Sequence, residues 1–390
     1  MNKRISILVL LIFLSVGIYC DSPALQYYIQ RFSNADLPEK AQILREAAVS
    51  DLPADSSWQL YDYALRFALD SYAQTGGSPE MSAIIAISAV GLRETGRAEN
   101  IDILWRLFHE YPDTEVKSEI LITLGAAGKG NQLIVNSINN FLVEKNLTFS
   151  SGEHVDYSLV SACISAIMEL DDSSSYPALF SSLCIGYPEV IASEAQGALE
   201  LIHGDLHQFL SNVIENNSPE EKFAAFRTGA NSENLTLSER GQLAELALRQ
   251  SLFAAEENAD LTAMRYAAVL ALTSLRWTRA NALAIRHYYG MQAAYANSAV
   301  FKDRFIEAIA CLGAVGDSDA ALILVLQLGL INARTESTGV FDPEITMAIV
   351  LALGQIGSNA AFDHLLYISS LSYSEDIAAA AREAIDRLKW

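Results

Sequence analysis

Apolar side chains recur with a helical period over most of the chain. Three segments share one pattern, an acidic residue followed by an amphipathic stretch that ends in Leu-Gly-x-x-Gly. They are 115–129, 303–317 and 344–358. Apolar residues at every third or fourth position predict helices, and strand-type alternation between Gly or Asn turns is nearly absent. The Leu-Gly pairs of the last two copies lie 41 residues apart, a spacing typical of a two-helix repeat.

Residue types at the ends of these segments predict how the helices begin and stop. Ser or Asp, followed by Pro or Thr and then Glu, is typical of a helix start. Such starts occur at 78–80, 113–115, 218–220 and 342–344. We expect the glycine of each Leu-Gly pair to allow close helix approach, and the final glycine to adopt a left-handed cap.

This pattern resembles the HEAT-repeat family of armadillo-type α-solenoids, particularly its bacterial exported kind. The clearest copy is 343–371, and weaker copies extend the resemblance from about residue 80 to the C-terminus. The resemblance implies an all-α fold, a right-handed α-α superhelix of antiparallel helical hairpins. A single hairpin cannot cover both of its apolar stripes, so each requires a neighbour. The rival tetratricopeptide array needs a 34-residue period, and no such period recurs.

We therefore divide the chain into three parts. We expect residues 1–20 to be a signal peptide, residues 21–77 to form an N-terminal helical cap region, and residues 78–390 to form the repeat array. Two polar stretches interrupt the array. At 146–156 we expect a loop between helices, and at 215–238 one short helical turn with polar linkers.

The first twenty residues have the composition of a secretion signal. Lys3 and Arg4 precede an apolar run, 5–16, and small residues follow it. We predict cleavage and export to a periplasmic or envelope-associated location; an uncleaved anchor is the alternative. Cys20 is a candidate for lipidation, although Tyr19 matches the lipid-attachment pattern poorly.

Charge excludes one class of partner. The formal net charge is −21, and it becomes −23 once the two basic residues of the leader are removed. Such a field repels phosphate backbones, so we expect no nucleic-acid partner, and membrane attachment only through the N-terminus.

Motifs for catalysis are scarce. Gly-rich phosphate loops, G-x-S-x-G, H-E-x-x-H and C-x-x-C do not occur in the sequence. His203 and His207 have the four-residue spacing of zinc ligands, but Gly204-Asp205 between them is typical of a turn capped by Asp205. We expect no catalytic residue, no cofactor and no resident metal, and retain a metal-binding or enzymatic protein built on this histidine pair as the alternative function.

Two cysteines lie symmetrically about an expected turn at 171–175. Cys163 and Cys184 would stand at similar height in an antiparallel hairpin, and an exported protein meets oxidising conditions. A disulfide requires Cα atoms within about 7 Å, whereas packed helix axes are about 8–10 Å apart. Both a disulfide and two buried thiols remain open.

A local charge reversal gives the best candidate binding surface. Between Leu261 and Lys302 there is no acidic residue but five basic ones, interleaved with aromatic residues. Arg and aromatic side chains are enriched at interface hot spots. The candidate partner-binding residues are Arg265, Trp277, Arg279, Arg286, Tyr288 and Tyr289. The partner would be an acidic protein segment or a glycan; alternatively, the arginines pair with acids of adjacent hairpins.

These observations predict a non-catalytic, exported scaffold that presents a surface to a protein partner. HEAT-type arrays do this without a catalytic cleft, because stacked hairpins create an extended surface.

Overall fold

The computed structural model describes residues 23–50, 52–75, 77–95, 97–256 and 258–389. Over these ranges the chain forms twenty α-helices and four short 3-10 helices. No strand occurs in the same ranges, where a bridge between Ser358 and Lys389 is the sole β-type pairing. The predicted all-α class is confirmed. The chain divides into two compact units at the bond between Gly204 and Asp205.

The first unit contains ten α-helices in its described part. They are α1 (Pro23–Asn34), α2 (Leu37–Ala48), α3 (Ala54–Thr75), α4 (Pro79–Arg93), α5 (Ile101–Glu110), α6 (Thr114–Ala127), α7 (Gln132–Ser150), α8 (Tyr157–Leu170), α9 (Tyr176–Cys184) and α10 (Glu189–Leu201).

The second unit likewise has ten α-helices among its described residues. They are α11 (Leu206–Asn216), α12 (Pro219–Asn231), α13 (Leu237–Leu252), α14 (Ala259–Leu275), α15 (Asn281–Ala296), α16 (Lys302–Val315), α17 (Ser318–Thr338), α18 (Pro343–Ile356), α19 (Phe362–Ile368) and α20 (Glu375–Asp386).

Within each unit, helical hairpins stack in chain order as in a solenoid. Each odd-numbered helix packs on the even-numbered helix that follows it, and successive even-numbered helices pack on one another. Short turns between packed helices make these neighbours antiparallel. The three Leu-Gly helices are α6, α16 and α18. Of its two neighbours along the chain, each packs more extensively on the helix before it than on the helix after it.

The Leu-Gly glycines lie where even-numbered helices approach most closely. A Cβ on Gly125 would lie 2.5 Å from the carbonyl oxygen of Ala166, on α8. A Cβ on Gly313 would lie 2.7 Å from Cα of Ala352, and one on Gly354 would lie 2.9 Å from Cβ of Ala384. Real Cβ contacts are longer than these, so the prediction of close approach is confirmed at all three copies.

The final glycine of the motif behaves less uniformly than expected. Gly357 is left-handed, with φ 71°, but Gly128 has φ −90° and Gly316 has φ −74°. For these two the left-handed prediction is wrong. Glycine is needed there for space instead, because a Cβ on Gly128 would meet Ile134 Cγ2 at 2.6 Å and one on Gly316 would meet Leu312 O at 2.3 Å.

A connector shared by three helix pairs extends the repeat beyond the Leu-Gly copies. The left-handed residue that ends α18 is followed by a 3-10 turn that leads into α19. Asp171 (φ 55°) after α8 and Arg276 (φ 50°) after α14 adopt the same backbone and also precede a 3-10 turn. Left-handed backbone is uncommon for residues other than Gly, so its recurrence marks equivalent positions.

Both expected interruptions of the array contain more helix than predicted, although 151–156 do form the expected loop between helices. Helix α7 continues to Ser150, because Asn146 is buried: its Nδ2 donates to Ala178 O (3.1 Å) and its Oδ1 accepts from Ser182 Oγ (3.2 Å). In 215–238 the thirteen-residue α12 replaces the expected single turn. Ser218 and Glu221 form a capping box at its start, and Phe226 is buried. Polar composition concealed both helices.

The predicted signal peptide and Cys20 lie outside the described residues. The cap region contains helices α1 to α3, and α2 packs on α4. All four predicted helix starts are confirmed, with Ser78, Asp113, Ser218 and Asp342 as N-caps. None of the described helices combines the length and the apolarity needed to cross a membrane.

Candidate interaction surface

His203 is held by the carboxylate of Asp171, in the turn after α8. The imidazole Nδ1 of His203 lies 2.8 Å from Oδ2 of Asp171, and the His203 backbone N–H donates to Oδ1 of the same carboxylate (2.8 Å). Lys129 adds an ion pair at 3.4 Å. These hydrogen bonds lower the pKa of Asp171 to about 2. His203 thus helps to fix the left-handed turn after α8.

His207 belongs to the second unit and lies in the first turn of α11, after the N-cap Asp205. Its Nε2 is buried without a hydrogen-bond partner among the described side chains. No group of three or more His, Cys, Asp or Glu side chains suited to a metal occurs in the described ranges. The metal hypothesis for His203 and His207 therefore gains no support.

Cys163 and Cys184 are thiols rather than a disulfide. Cys163 is fully buried in α8, where its Sγ donates to Ile138 O (3.5 Å) and burial raises its pKa. The proposed bond assumed that α8 and α9 form a hairpin. Instead α8 pairs with α7 and α9 pairs with α10, so the symmetric positions of the two cysteines about the turn bring no disulfide.

The six candidate binding residues are divided among different environments in α14, α15 and the turn between them. Trp277 and Arg279 have structural partners. The indole N–H of Trp277 donates to Glu245 Oε2 (2.9 Å), and Arg279 Nε lies 3.8 Å from the same oxygen. The indole also covers Gly241, where a Cβ would lie 2.6 Å from the ring. These two residues join the α14–α15 turn to α13.

The prediction that Tyr288 belongs to a binding surface is wrong, because its side chain is fully buried. Its ring packs on Phe305 of α16, with 5.6 Å between centroids, and burial raises its pKa. Tyr289 is half exposed at 50% and meets Tyr288 edge-on. The aromatic pair at 288–289 therefore has one core member and one surface member, because adjacent helical positions point about 100° apart.

Arg286 is exposed on α15, and its guanidinium lies over the ring of Phe253 at 4.3 Å from the centroid. Phe253 is itself 58% exposed. No carboxylate of the described residues forms an ion pair with Arg286. The pair is an exposed cation–π contact.

Arg265 lines a groove of about 1010 Å³ formed by α14, α15 and the start of α16. Arg304 and Tyr266 line it too, and the guanidinium of Arg304 stacks over the Tyr266 ring at 4.2 Å. No Asp or Glu is among the described residues that line it. Small side chains complete its wall, including Ala259, Ala263, Ala294 and Ala299. We call this the arginine groove.

Arg265 is the arginine of this groove that forms no ion pair with a described acid. The Nε of Arg265 is buried without a hydrogen-bond partner among the described groups. Behind it lies His287, 1% exposed. Burial, together with the charge of Arg265, lowers the pKa of this imidazole to about 4. The histidine is therefore neutral at pH 7, and Arg265 carries the positive charge.

Sequence reasoning missed Arg304, because the acid-free run ends at Asp303. Alignment of the three Leu-Gly copies could have found it. Arg304 occupies the position of Val116 in α6 and Ile345 in α18, both buried apolar residues. An arginine in the first turn of a helix also opposes the helix dipole. Glu307 accepts one of its N–H groups at 2.7 Å.

Lys302, the last basic residue of the run, is explained by ion pairing. Lys302 binds Asp342 (2.9 Å) and Glu344 (2.8 Å) at the start of α18, and these bonds raise its pKa. Lys302 and Arg279 thus follow the alternative in which basic residues pair with acids of adjacent hairpins. Arg265 and Arg286 form no ion pair with any described acid.

A groove of opposite character lies on α4, α6 and α8 in the first unit. Its volume is about 730 Å³, and its charged lining residues in the described structure are Asp113, Glu115 and Glu119. Asp113 caps α6 and accepts the hydroxyl of Ser82 (2.9 Å). Glu119 pairs with Arg93. We call this the acidic groove.

No family model matches the chain, and no curated protein matches it. An engineered protein of known crystal structure is 14% identical, in an alignment covering 94% of this chain and 99% of the other, with a TM-score of 0.37. A chain from a study of the phosphorylation switch that controls the interaction between cadherin and beta-catenin is 12% identical, covering 95% and 97%, with a TM-score of 0.28. TM-scores this low do not establish a shared fold. The assignment of an all-α solenoid therefore rests on the helix packing within each unit.

Proposed function

We propose that this chain is a HEAT-type interaction scaffold without catalytic activity, and that the arginine groove binds an acidic segment of a protein partner. The observation that carries the proposal is the groove itself: two arginines flank an aromatic ring, with no carboxylate among the described lining residues. In a chain of net charge −21, such a site is a local reversal.

The chemistry of the groove favours carboxylates. Guanidinium groups donate planar pairs of hydrogen bonds that match a carboxylate, and the guanidinium of Arg265, which lines the groove, forms no ion pair with a described acid. Tyr266 provides a flat apolar surface between the two guanidiniums, so an acidic side chain followed by an apolar one fits best. The wall of small residues suits an extended segment.

Fluorescence anisotropy with two labelled peptides tests the proposal. One twelve-residue peptide alternates Glu with Leu and Ala, and its matched control has Lys in place of every Glu. We expect the acidic peptide to bind, with an affinity that falls as salt rises from 0.05 to 0.5 M, and the basic peptide not to bind. Equal binding of both peptides contradicts the proposal.

Matched variants locate the binding. Arg265→Gln and Arg304→Gln should each weaken the acidic peptide about tenfold, since each removes a charge-assisted contact. Arg334→Gln, an exposed arginine on α17, should change the affinity less than twofold. Equal weakening by all three variants would mean that only overall charge matters.

We also propose that the mature protein acts in the bacterial envelope. Residues 1–20 support this proposal through their basic start and apolar run. Mass spectrometry of the N-terminus from an envelope fraction tests it. An N-terminus at or just before residue 21 is expected, and diacylglycerol on Cys20 would show lipid attachment. An intact Met1 in a soluble cytoplasmic fraction contradicts export.

A further inference from the structure

Helix α17 carries an unpartnered apolar stripe. Leu322, Leu326 and Leu330 are four residues apart, so they share one face of the helix. They are 50%, 70% and 69% exposed. Scattered exposed leucines are ordinary, but three in register on one helix form a continuous stripe, which marks an interaction surface.

Neighbouring helices hold α17 in place without covering this stripe. On one side Gln327 accepts from Gln292 of α15 (2.8 Å). On the other side Asn332 donates to His364 O (3.1 Å) and Glu336 accepts from Tyr367 of α19 (2.8 Å). The leucines therefore lie on the face that points away from both neighbours.

Opposite charges close the two ends of the stripe. Asp319 and Arg334 are both exposed, and neither forms an ion pair with a described residue. They are fifteen residues apart, about 22 Å along a helix. Leu326 lies at the midpoint between them. The face is therefore apolar in the middle, negative at one end and positive at the other.

We propose that this face binds a second copy of the chain, with the two α17 helices antiparallel about a two-fold axis at Leu326. In that arrangement Leu322 of each copy meets Leu330 of the other, and Asp319 lies beside the partner copy's position 334. A two-fold contact uses the same patch on both copies. Parallel pairing would instead place like charges together, which is destabilising.

Analytical ultracentrifugation of the purified protein from 1 to 100 μM tests the proposal. We expect a reversible monomer–dimer equilibrium that Leu326→Arg abolishes, because two arginines would meet on the axis. Leu133→Arg is the matched control, since Leu133 is 77% exposed on α7. It should leave the dimer intact. Circular dichroism should show equal helicity in all three proteins.

A charge swap tests the antiparallel geometry. Asp319→Arg and Arg334→Asp should each weaken dimerisation about tenfold, as each places like charges in contact twice per dimer. The double variant should restore it. Failure of the double variant to recover, or a wild-type protein that is monomeric throughout, overturns the proposal. Binding of monomeric wild type to phosphatidylglycerol vesicles, lost in Leu326→Arg, would show instead that the stripe meets lipid.

Discussion

The acidic groove of the first unit and the arginine groove of the second unit both include the start of a Leu-Gly helix but differ in charge. Every carboxylate of the acidic groove lies at the N-cap of α6 or in its first half, and negative side chains near a helix start are favoured by the helix dipole. Asp113 is an N-cap and Glu119 has an ion-pair partner. The acidic groove is thus what a stack of well-capped helices produces by default.

The arginine groove departs from that default. Arg304 lies in the first turn of α16, where a positive charge is disfavoured, and at a position that is apolar in two other copies. Arg265 has a buried donor without a partner. Neither feature is required for helix stacking, and Arg304 is held instead by Glu307 and the Tyr266 ring. A surface that costs stability and follows no folding rule is the better candidate for binding.

The first prediction tests whether both grooves rest on the same stacking. Gly125→Ala and Gly313→Ala should each lower the free energy of unfolding by about 2–3 kcal/mol, because the added Cβ meets the next helix and forces it to shift. Urea denaturation followed by circular dichroism measures this effect.

Two other helical glycines provide the control for that prediction. A Cβ on Gly197 or Gly290 meets no atom within 4 Å. Alanine at these positions should raise the free energy of unfolding by about 0.5–1 kcal/mol, as alanine favours helix. Stabilisation by all four substitutions would mean that helix propensity, rather than close approach, decides, and destabilisation by all four would mean that the space around each glycine does not matter.

The second prediction is that the stability of the two units depends differently on pH. Unfolded histidine titrates near pH 6.5, whereas folded His287 has a pKa of about 4. Between these values the unfolded chain binds a proton that the folded chain does not. The second unit should therefore keep full stability above pH 6.5 and lose about 3 kcal/mol as the pH falls to 4.

Hydrogen exchange measured at pH 7 and 4.5, corrected for intrinsic rates, checks this second prediction. Protection of α14–α16 should fall more than protection of α6–α8, because His109, His154 and His203 of the first unit are exposed. His287→Leu should remove the difference. Equal losses in both units, or no effect of the substitution, would show that His287 does not set the pH response.

The third prediction concerns Trp277, which sequence reasoning placed in the binding surface. Trp277→Phe removes the bond to Glu245 and keeps an aromatic ring over Gly241. We expect a loss of about 1 kcal/mol in the free energy of unfolding, measured by urea denaturation, and an unchanged affinity for the acidic peptide. Weakened peptide binding without a loss of stability would show that Trp277 belongs to the binding surface.

The fourth prediction is the smallest in energy. Arg304→Ile places the residue found in α18 at the same position of α16 and removes a positive charge from a helix start. It should raise the free energy of unfolding by about 0.5–1 kcal/mol, within the range of the dipole effect. Thermal and urea denaturation both measure it. A loss above about 2 kcal/mol would show that Arg304 is needed for packing.

Much of the fold could be predicted from a few residues. The Leu-Gly pairs identified three even-numbered helices, and Ser78, Asp113, Ser218 and Asp342 located four helix starts. The shared connector was hidden, because Asp171 and Arg276 replace the glycine that signals a left-handed residue. Helices α7 and α12 were underestimated, because the buried hydrogen bonds of Asn146 and the capping box at Ser218 cannot be read from polarity alone.

The candidate site was harder to predict than the fold. Charge identified the right segment, and Arg265 does line a groove. Which way a helical residue faces depends on its neighbours, so Tyr288 was assigned to the surface although it packs on Phe305. Arg304 was missed, because composition was read along the run and not compared between copies of the repeat.

One measurement bears most directly on the difference between the grooves. Acidic-peptide affinity should be determined by calorimetry for Arg304→Ile and for Glu115→Gln, the matched change in the acidic groove, at one ionic strength. We predict a loss of at least about tenfold for Arg304→Ile and less than a twofold change for Glu115→Gln. Unaltered binding by Arg304→Ile, or comparable changes in both variants, would contradict the account.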